Sequence, residues 1–438
     1  MRSKAEILNR IGLGRPELRA WALYDWANSA FFTTVVAAVF PVYFSSVAAA
    51  DLLPSVATAR YATMTTFALV LIAVCAPILG AWADLAAIRK RLLAIFLACG
   101  VCATAGLGWI YQGEWQLAAG LFIVANIGVS GSLIFYDSLL PHIAAADEID
   151  RVSTAGYALG YLGGGLLLAL NLAWIQFPDW FGIADAAAAS RLSFVSVAVW
   201  WLIFSIPLFR QVGEPGAKST PEHERVSSLL GGVFGRLRHS IRELRRYKNA
   251  ALLLFAFVIY NDGVGTIIRM AAIYGTEIGL SQSVLISAIL LVQFIGIPAA
   301  FAFGSLAARI GAKAGILCAL GVYMIVSVVG YFMSTALHFY LLAMLVGLVQ
   351  GGCQALSRSL FASMIPRDRS TEFFSFFAVC EKFAGIFGPA IFAAVSIATG
   401  SSRTAILAVM LFFVLGGLLL HLVDVEEGQQ VARAAEAN

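Results

Sequence analysis

Charge is what this sequence has least of. Of its 438 residues only 12% are Asp, Glu, Lys or Arg, against roughly 25% in a typical soluble domain. Sixty per cent are hydrophobic and the mean hydropathy is +0.86. That balance excludes an ordinary soluble globule and points to a chain that crosses a membrane many times. Histidine is scarce as well: His142, His338 and His421 lie near the ends of apolar runs, and His223 and His239 between two of them. There is no HExxH, no GxSxG and no histidine pair, so neither an intramembrane enzyme nor a bound metal or other cofactor is expected. The phosphate-cradling GxxxxGK[ST] loop is missing too, which argues against transport driven by ATP on this chain alone. The cysteines (Cys75, Cys99, Cys102, Cys318, Cys353, Cys380) all fall inside apolar segments, and the CxxC at 99–102 has no His or acidic neighbour. It reads as helix packing. The stretch ahead of Trp21 is mixed polar and lacks an apolar core, so no cleavable signal peptide is expected.

What is present is apolar length. Runs long enough to span a bilayer as helices occur at about 20–47, 61–83, 92–111, 116–140, 154–176, 190–209, 249–273, 281–307, 313–333, 338–364, 373–398 and 403–423. These twelve are spans 1 to 12. They divide the chain into a six-helix bundle at 1–209, a linker at 210–248 and a second six-helix bundle at 249–438. With the N-terminus cytoplasmic, the inner side receives 23 of the 29 lysines and arginines, and the outer loops only Arg60, Arg191 and Arg403. The positive-inside rule therefore puts both termini in the cytoplasm. In the linker, Val226, Leu229, Leu230, Val233, Phe234, Leu237, Ile241 and Leu244 recur at helical spacing, with Arg236, Arg238, Arg242, Arg245, Arg246 and Lys248 mostly opposite. This pattern over 226–248 predicts an amphipathic helix on an anionic inner leaflet; its apolar face argues against nucleic acid as the partner.

The halves repeat. Pro141 is followed by Gly160 and Gly163, and Pro366 by Gly385 and Gly388 at the same spacing. Gly80-Ala-Trp-Ala-Asp84 recurs at nearly the same offset as Gly304-Ser-Leu-Ala-Ala308, and Tyr24-Asp25 has its echo in Tyr260-Asn261-Asp262. Two repeats in one orientation are a transporter layout.

The GxxxD turn and the basic Arg89-Lys90-Arg91 behind it resemble the signature loop of the major facilitator superfamily. YDWANSAF (24–31), RVSTAGYALGYLGGG (151–165), YNDGVGTIIRMAAIYG (260–275) and GLVQGGCQALSRSLFASMIP (347–366) resemble its vacuole-effluxer branch. Fungal members of that branch export amino acids from the vacuole, and bacterial relatives share the pattern. The first loop lacks the usual glycine before its basic pair, and the second has Ala308 in place of an acid. The resemblance implies an all-α membrane protein of two pseudo-symmetric bundles, working as a monomer in a bacterial cytoplasmic membrane, with spans 1, 4, 7 and 10 around a central cavity.

Polar residues concentrate on those four spans in helical register: Asp25, Asn28 and Ser29; Asn126, Ser130 and Asp137; Asp262, Thr266 and Arg269; Gln350, Gln354, Ser357 and Arg358. Ionisable groups inside a membrane are costly and usually functional. Asn28, Asn126, Tyr260, Asn261, Asp262, Gln350 and Gln354 are the expected contacts for a small polar solute, an amino acid or short peptide among the candidates. Asp25, Asp84, Asp137, Arg269, Arg358, Glu381 and Lys382 are the expected gating or proton-coupling groups. Asp25 is the first choice as proton carrier, and Asp137 and Arg358 are expected to pair across the bundles. A lipid or lysophospholipid flippase, with a cavity open sideways and a more apolar wall, and a non-transporting sensor are the alternatives. Trp21 and Trp82 read as anchors at the inner interface, and Trp109, Trp115, Trp174 and Trp180 at the outer one. Pro298 and Pro389 are expected kinks.

Overall fold

The computed structural model describes residues 4–215, 247–277, 280, 282–384, 387–399 and 401–436. Among them every regular element is a helix. Eleven helices are long and apolar enough to cross a membrane. Spans 1 to 6 are Pro16–Ala48, Pro54–Ala86, Arg89–Gly106, Trp115–Ile143, Ile149–Gln176 and Ala186–Gln211. Spans 7 to 10 are Lys248–Glu277, Gln282–Ile310, Ala312–Tyr331 and Ala336–Ser363, and span 12 is Ser402–His421. The amphipathic helix expected at 226–248 falls almost wholly outside the described residues.

Span 11 departs from expectation: it is two helices, Ser370–Phe383 and Phe387–Thr399, neither long enough to cross alone. Proline offers no N–H and its ring collides with the carbonyl four residues earlier. A first turn costs proline no hydrogen bond, and Pro389 stands in the first turn of the second helix. Pro298, by contrast, lies inside span 8 without ending it.

Local chemistry sets other boundaries. Prolines 16 and 54 open spans 1 and 2, where a missing N–H is no loss. Asp185 Oδ1 accepts the N–H of Ala188 at 2.6 Å and starts span 6. Span 2 ends on Ala87 at φ 49°, a left-handed conformation that crowds a Cβ. Its counterpart in the second repeat is Gly311, at φ 83°. Both loops thus pass through a positive-φ residue but turn differently, with ψ 49° at Ala87 and 155° at Gly311. Span 1 is also irregular: α-helical at Pro16–Ala30, it becomes π-helical over Phe31–Val39 and again over Phe44–Ala48.

Span 1 packs on spans 5 and 6, and span 3 on span 4; in the other bundle span 7 packs on span 12 and span 10 on spans 8 and 9. Both termini lie at one end. Arg15 donates to the Ile143 carbonyl and pairs with Glu148 in the first bundle, and in the second, helix Val425–Glu436 is tied to spans 7 and 10 through Glu427 to Asn249 and Gln429 to Ser363. We refer to this as the terminal end.

The bundles meet where span 5 packs on spans 8 and 10 and where spans 2 and 4 pack on span 11. Glycines make the close approach possible. Gly80 abuts Ser375 and the Thr371 carbonyl, Gly304 abuts Thr154, and the Tyr161 ring fits between Gly296 and Gly351. A Cβ on Gly351 would press into that ring.

Candidate functional site

Cross-bundle hydrogen bonds gather in the terminal half, and Arg358 is their centre. Span 10 carries this guanidinium, yet its partners come from spans 1, 4 and 5. Nη2 donates to Asp25 Oδ2 at 3.2 Å and Nη1 to Asp137 Oδ1 at 3.1 Å. Nε donates to Ser153 Oγ and Nη2 to the Ser153 carbonyl, both at 3.0 Å. Three rings enclose it: Tyr157 at 4.6 Å, Trp21 at 4.7 Å and Tyr136 at 5.8 Å from the guanidinium carbon. A buried cation is tolerable only with carboxylates and aromatic faces arranged this way. Asp137 and Arg358 thus meet as the sequence suggested, and Asp25 joins them, so two acids share one cation. Trp21 departs from the interface-anchor expectation. It is wholly buried, stacked on Tyr136 at 4.6 Å, and its Nε1 donates to the Tyr136 carbonyl.

A second knot lies on the terminal side of the first. Asp84 Oδ1 pairs with Arg89 at 2.8 Å, and Asp84 Oδ2 accepts the Glu372 N–H at 2.9 Å. Asp84 thereby caps the first helix of span 11 from the opposite bundle, where an acid meets unpaired N–H groups and the positive end of the helix dipole. Arg89 Nε also donates to Thr371 Oγ1 at 2.8 Å. Ser370 Oγ donates to the Ser138 carbonyl at 2.9 Å, Thr371 Oγ1 to Ser138 Oγ at 3.0 Å, and His142 Nε2 lies 3.1 Å from Ser370 Oγ. Ser138, Ser370 and Thr371 do not stand out in the sequence, because hydroxyls are common in such spans; His142 is visible there as one of five histidines, but without a sign of this contact. Arg89 could have been found as the first of the basic triplet.

The expected solute contacts scatter. Asn28 Nδ2 donates to the Tyr24 carbonyl at 2.6 Å and Asn126 Nδ2 to that of Phe122 at 2.9 Å, each within its own helix. Tyr260 Oη is bonded to Ser357 Oγ at 2.6 Å, and Gln354 Nε2 donates to Asn261 Oδ1 at 2.5 Å, tying span 7 to span 10. Asp262 Oδ2 accepts the N–H of Phe387 at 3.0 Å. Its carboxylate therefore faces the break in span 11 and an apolar groove lined by Phe255, Ile391 and Phe412. The physical reason is that a helix starting within the membrane must find an acceptor for its first N–H groups. Glu381 is half-buried just before that break. The Arg269 and Lys382 side chains lie outside the described residues.

Beyond the Arg358 cluster, away from the termini, lies a chamber of about 320 Å³. Its walls come mostly from spans 7 to 10, with Phe32, Thr33, Ala37 and Ala38 from the π-helical part of span 1. Of the seven expected solute contacts only Gln350 lines it, joined by Gln293 of span 8, which sequence reasoning passed over.

Two six-helix bundles, sealed at one end and hollow beyond, define a secondary transporter of the major facilitator fold, and solved structures of that fold agree. The proton:xylose symporter XylE superposes with a TM-score of 0.70 at 14% identity, covering 99% of this chain and all of that one. FucP in its outward conformation gives 0.66 at 14% identity, covering 94% of this chain and all of that one. The chain belongs to the Atg22-like vacuole effluxer family, whose model matches residues 14–433. It is 36% identical to the uncharacterized MFS-type transporter YxiO of Bacillus subtilis over 416 residues, 94% of this chain and 96% of that protein. It is 25% identical to autophagy-related protein 22-1 of Aspergillus fumigatus over 323 residues, 68% of this chain and about half the length of that relative (52%).

Proposed function

We propose that this chain moves a small solute across a bacterial cytoplasmic membrane by alternating access, as a monomer, with protons as the coupling ion. One observation carries the reading. Arg358 belongs to the second bundle and is held entirely by the first. Such a contact stabilises the closed terminal end and must be broken whenever that end opens. With the orientation read from the positive charges, the terminal end is cytoplasmic, so this conformation is shut to the cytoplasm and its chamber lies toward the outside.

Proton coupling draws support from the stoichiometry of the latch. Asp25 and Asp137 share one guanidinium, so withdrawing Arg358 leaves two buried acids without their counterion, and taking up a proton removes that penalty. XylE and FucP are named as proton symporters. For the cargo, the family resemblance alone points to a small polar solute such as an amino acid or short peptide. The apolar wall of the chamber lends some weight to the lysophospholipid alternative. Counterflow in proteoliposomes with a panel of amino acids, short peptides and lysophospholipids tests the reading, with uptake followed under an imposed pH gradient. No counterflow by any member would overturn these three cargo classes and favour a sensor. Uptake by Asp25→Asn that stays gradient-driven would remove Asp25 as the proton carrier.

A further inference from the structure

The chamber does not look like a site for a strongly polar guest. Leu342, Val346, Val326, Ile289 and Phe392 are typical of its wall, and no Asp, Glu, Lys or Arg lines it among the described residues. Its polar groups fall into two sets. Thr33 Oγ1 lies 3.0 Å from the Ser29 carbonyl and 3.2 Å from that of Gly164, Thr266 Oγ1 donates to the Asp262 carbonyl at 2.7 Å and Tyr274 Oη to that of Met333 at 3.5 Å, so all three hydroxyl protons have protein acceptors. Gln293 and Gln350 are different. Both are half-buried, both face the chamber, and neither hydrogen-bonds another described residue.

A free carboxamide in an apolar cavity is costly unless something pairs with it. Each carboxamide offers two donors and an acceptor, which complements a group that itself both donates and accepts, such as an amide. A bare ionic group entering the same space would have to shed its water with no opposite charge to receive it. The volume of about 320 Å³ lies at the small end of ligand pockets, roughly 300–1,000 Å³.

Resting on the transporter reading, we propose that the chamber receives the uncharged, apolar body of a small solute and that Gln293 and Gln350 hold an amide group on it. The cargo class is thus a neutral, amide-bearing apolar molecule. The two glutamines, from spans 8 and 10, fix the polar group, and the π-helical part of span 1 supplies the wall from the other bundle.

The test uses the full chain in nanodiscs and three probes with the same ring: N-acetylphenylalaninamide (neutral, two amides), phenylalanine (zwitterion) and 3-phenylpropionate (anion, no amide). The neutral amide is expected to bind about tenfold or more tightly than either other probe, a factor equal to about 1.4 kcal/mol. Gln293→Leu with Gln350→Leu should erase that preference without lowering the melting temperature, and Val346→Trp should block the neutral probe by filling the space. Equal or tighter binding of phenylalanine, no binding of the neutral amide, or an undiminished preference in the double variant would overturn the assignment. Counterflow of each probe keeps the two readings apart. A zwitterion carried with no preference for the amide sinks the cargo class and leaves transport standing. Amide binding that depends on the glutamines, without movement of any probe, upholds the chamber and refutes transport.

Discussion

Replacing Arg358 with alanine should open the terminal end. The guanidinium makes two carboxylate contacts near 3.1–3.2 Å, two bonds to Ser153 and three ring contacts, all on the first bundle. Removing one partner of a buried ion pair costs about 3–5 kcal/mol, because the remaining charge stays buried. Those contacts exist only while the end is closed, so the loss falls on the closed state. At about 1.4 kcal/mol per decade it shifts the closed-to-open ratio by roughly two to four powers of ten. Spin labels at exposed Ala146 and Ala308, in a chain whose native cysteines are replaced by serine, report the separation of the bundles at that end by pulsed electron resonance. The unmodified latch should give one short distance and Arg358→Ala a dominant longer one. Arg358→Lys should fall between, since lysine keeps the charge but not the planar fork. Asp137→Arg with Arg358→Asp should regain both closure and transport. An unchanged distance in a folded Arg358→Ala protein would refute the latch.

Gly351→Ala places a methyl against the Tyr161 ring; the same labels should show incomplete closure, relieved by adding Tyr161→Ala. Asp84→Ala strands the buried Arg89 guanidinium and uncaps span 11, which should lower unfolding stability by about 3–5 kcal/mol and appear as a lower melting temperature in nanodiscs. Asp262→Asn keeps an oxygen for the Phe387 N–H, so near-normal transport with Asn and loss with Leu is expected if the group is a cap. A solute-binding carboxylate would be damaged by both changes. Ala87→Gly relieves a left-handed alanine at about 1–2 kcal/mol, less the roughly 0.5–1 kcal/mol entropic penalty of glycine, so a slight gain in thermal stability should follow.

The latch was legible because hydropathy makes a charge inside an apolar run conspicuous: Asp25, Asp137 and Arg358 could be picked out and two of them paired. Register told which face each residue shares, but not which helix that face meets. Asp262 shares a stripe with Thr266 and was read toward the solute, whereas the neighbour that claims it is the restart of span 11. Trp21 illustrates the same limit, since position along a span suggests an interface ring and says nothing of a cation brought in by span 10. Gln293 was visible as a lone amide in ILLVQFIGI, on a span not expected to face the pathway. Hydroxyl contacts such as Ser138 to Thr371 carry no signal in one sequence, because they exist only once two bundles are docked.

The π-helical run at Phe31–Val39 makes span 1 a rod with slack in its winding. A π turn closes its hydrogen bond one residue later than an α turn. Tightening one such turn would displace the segment beyond it by about one residue, roughly 100° of rotation and 1.5 Å of rise. Ala37 and Ala38 lie in that segment and form part of the chamber wall. Twisting this single helix could thus exchange the surface shown to a bound molecule while Asp25, two turns below, keeps its hold on Arg358. The grip on the guest and the grip between the bundles would then be separately adjustable on the same span.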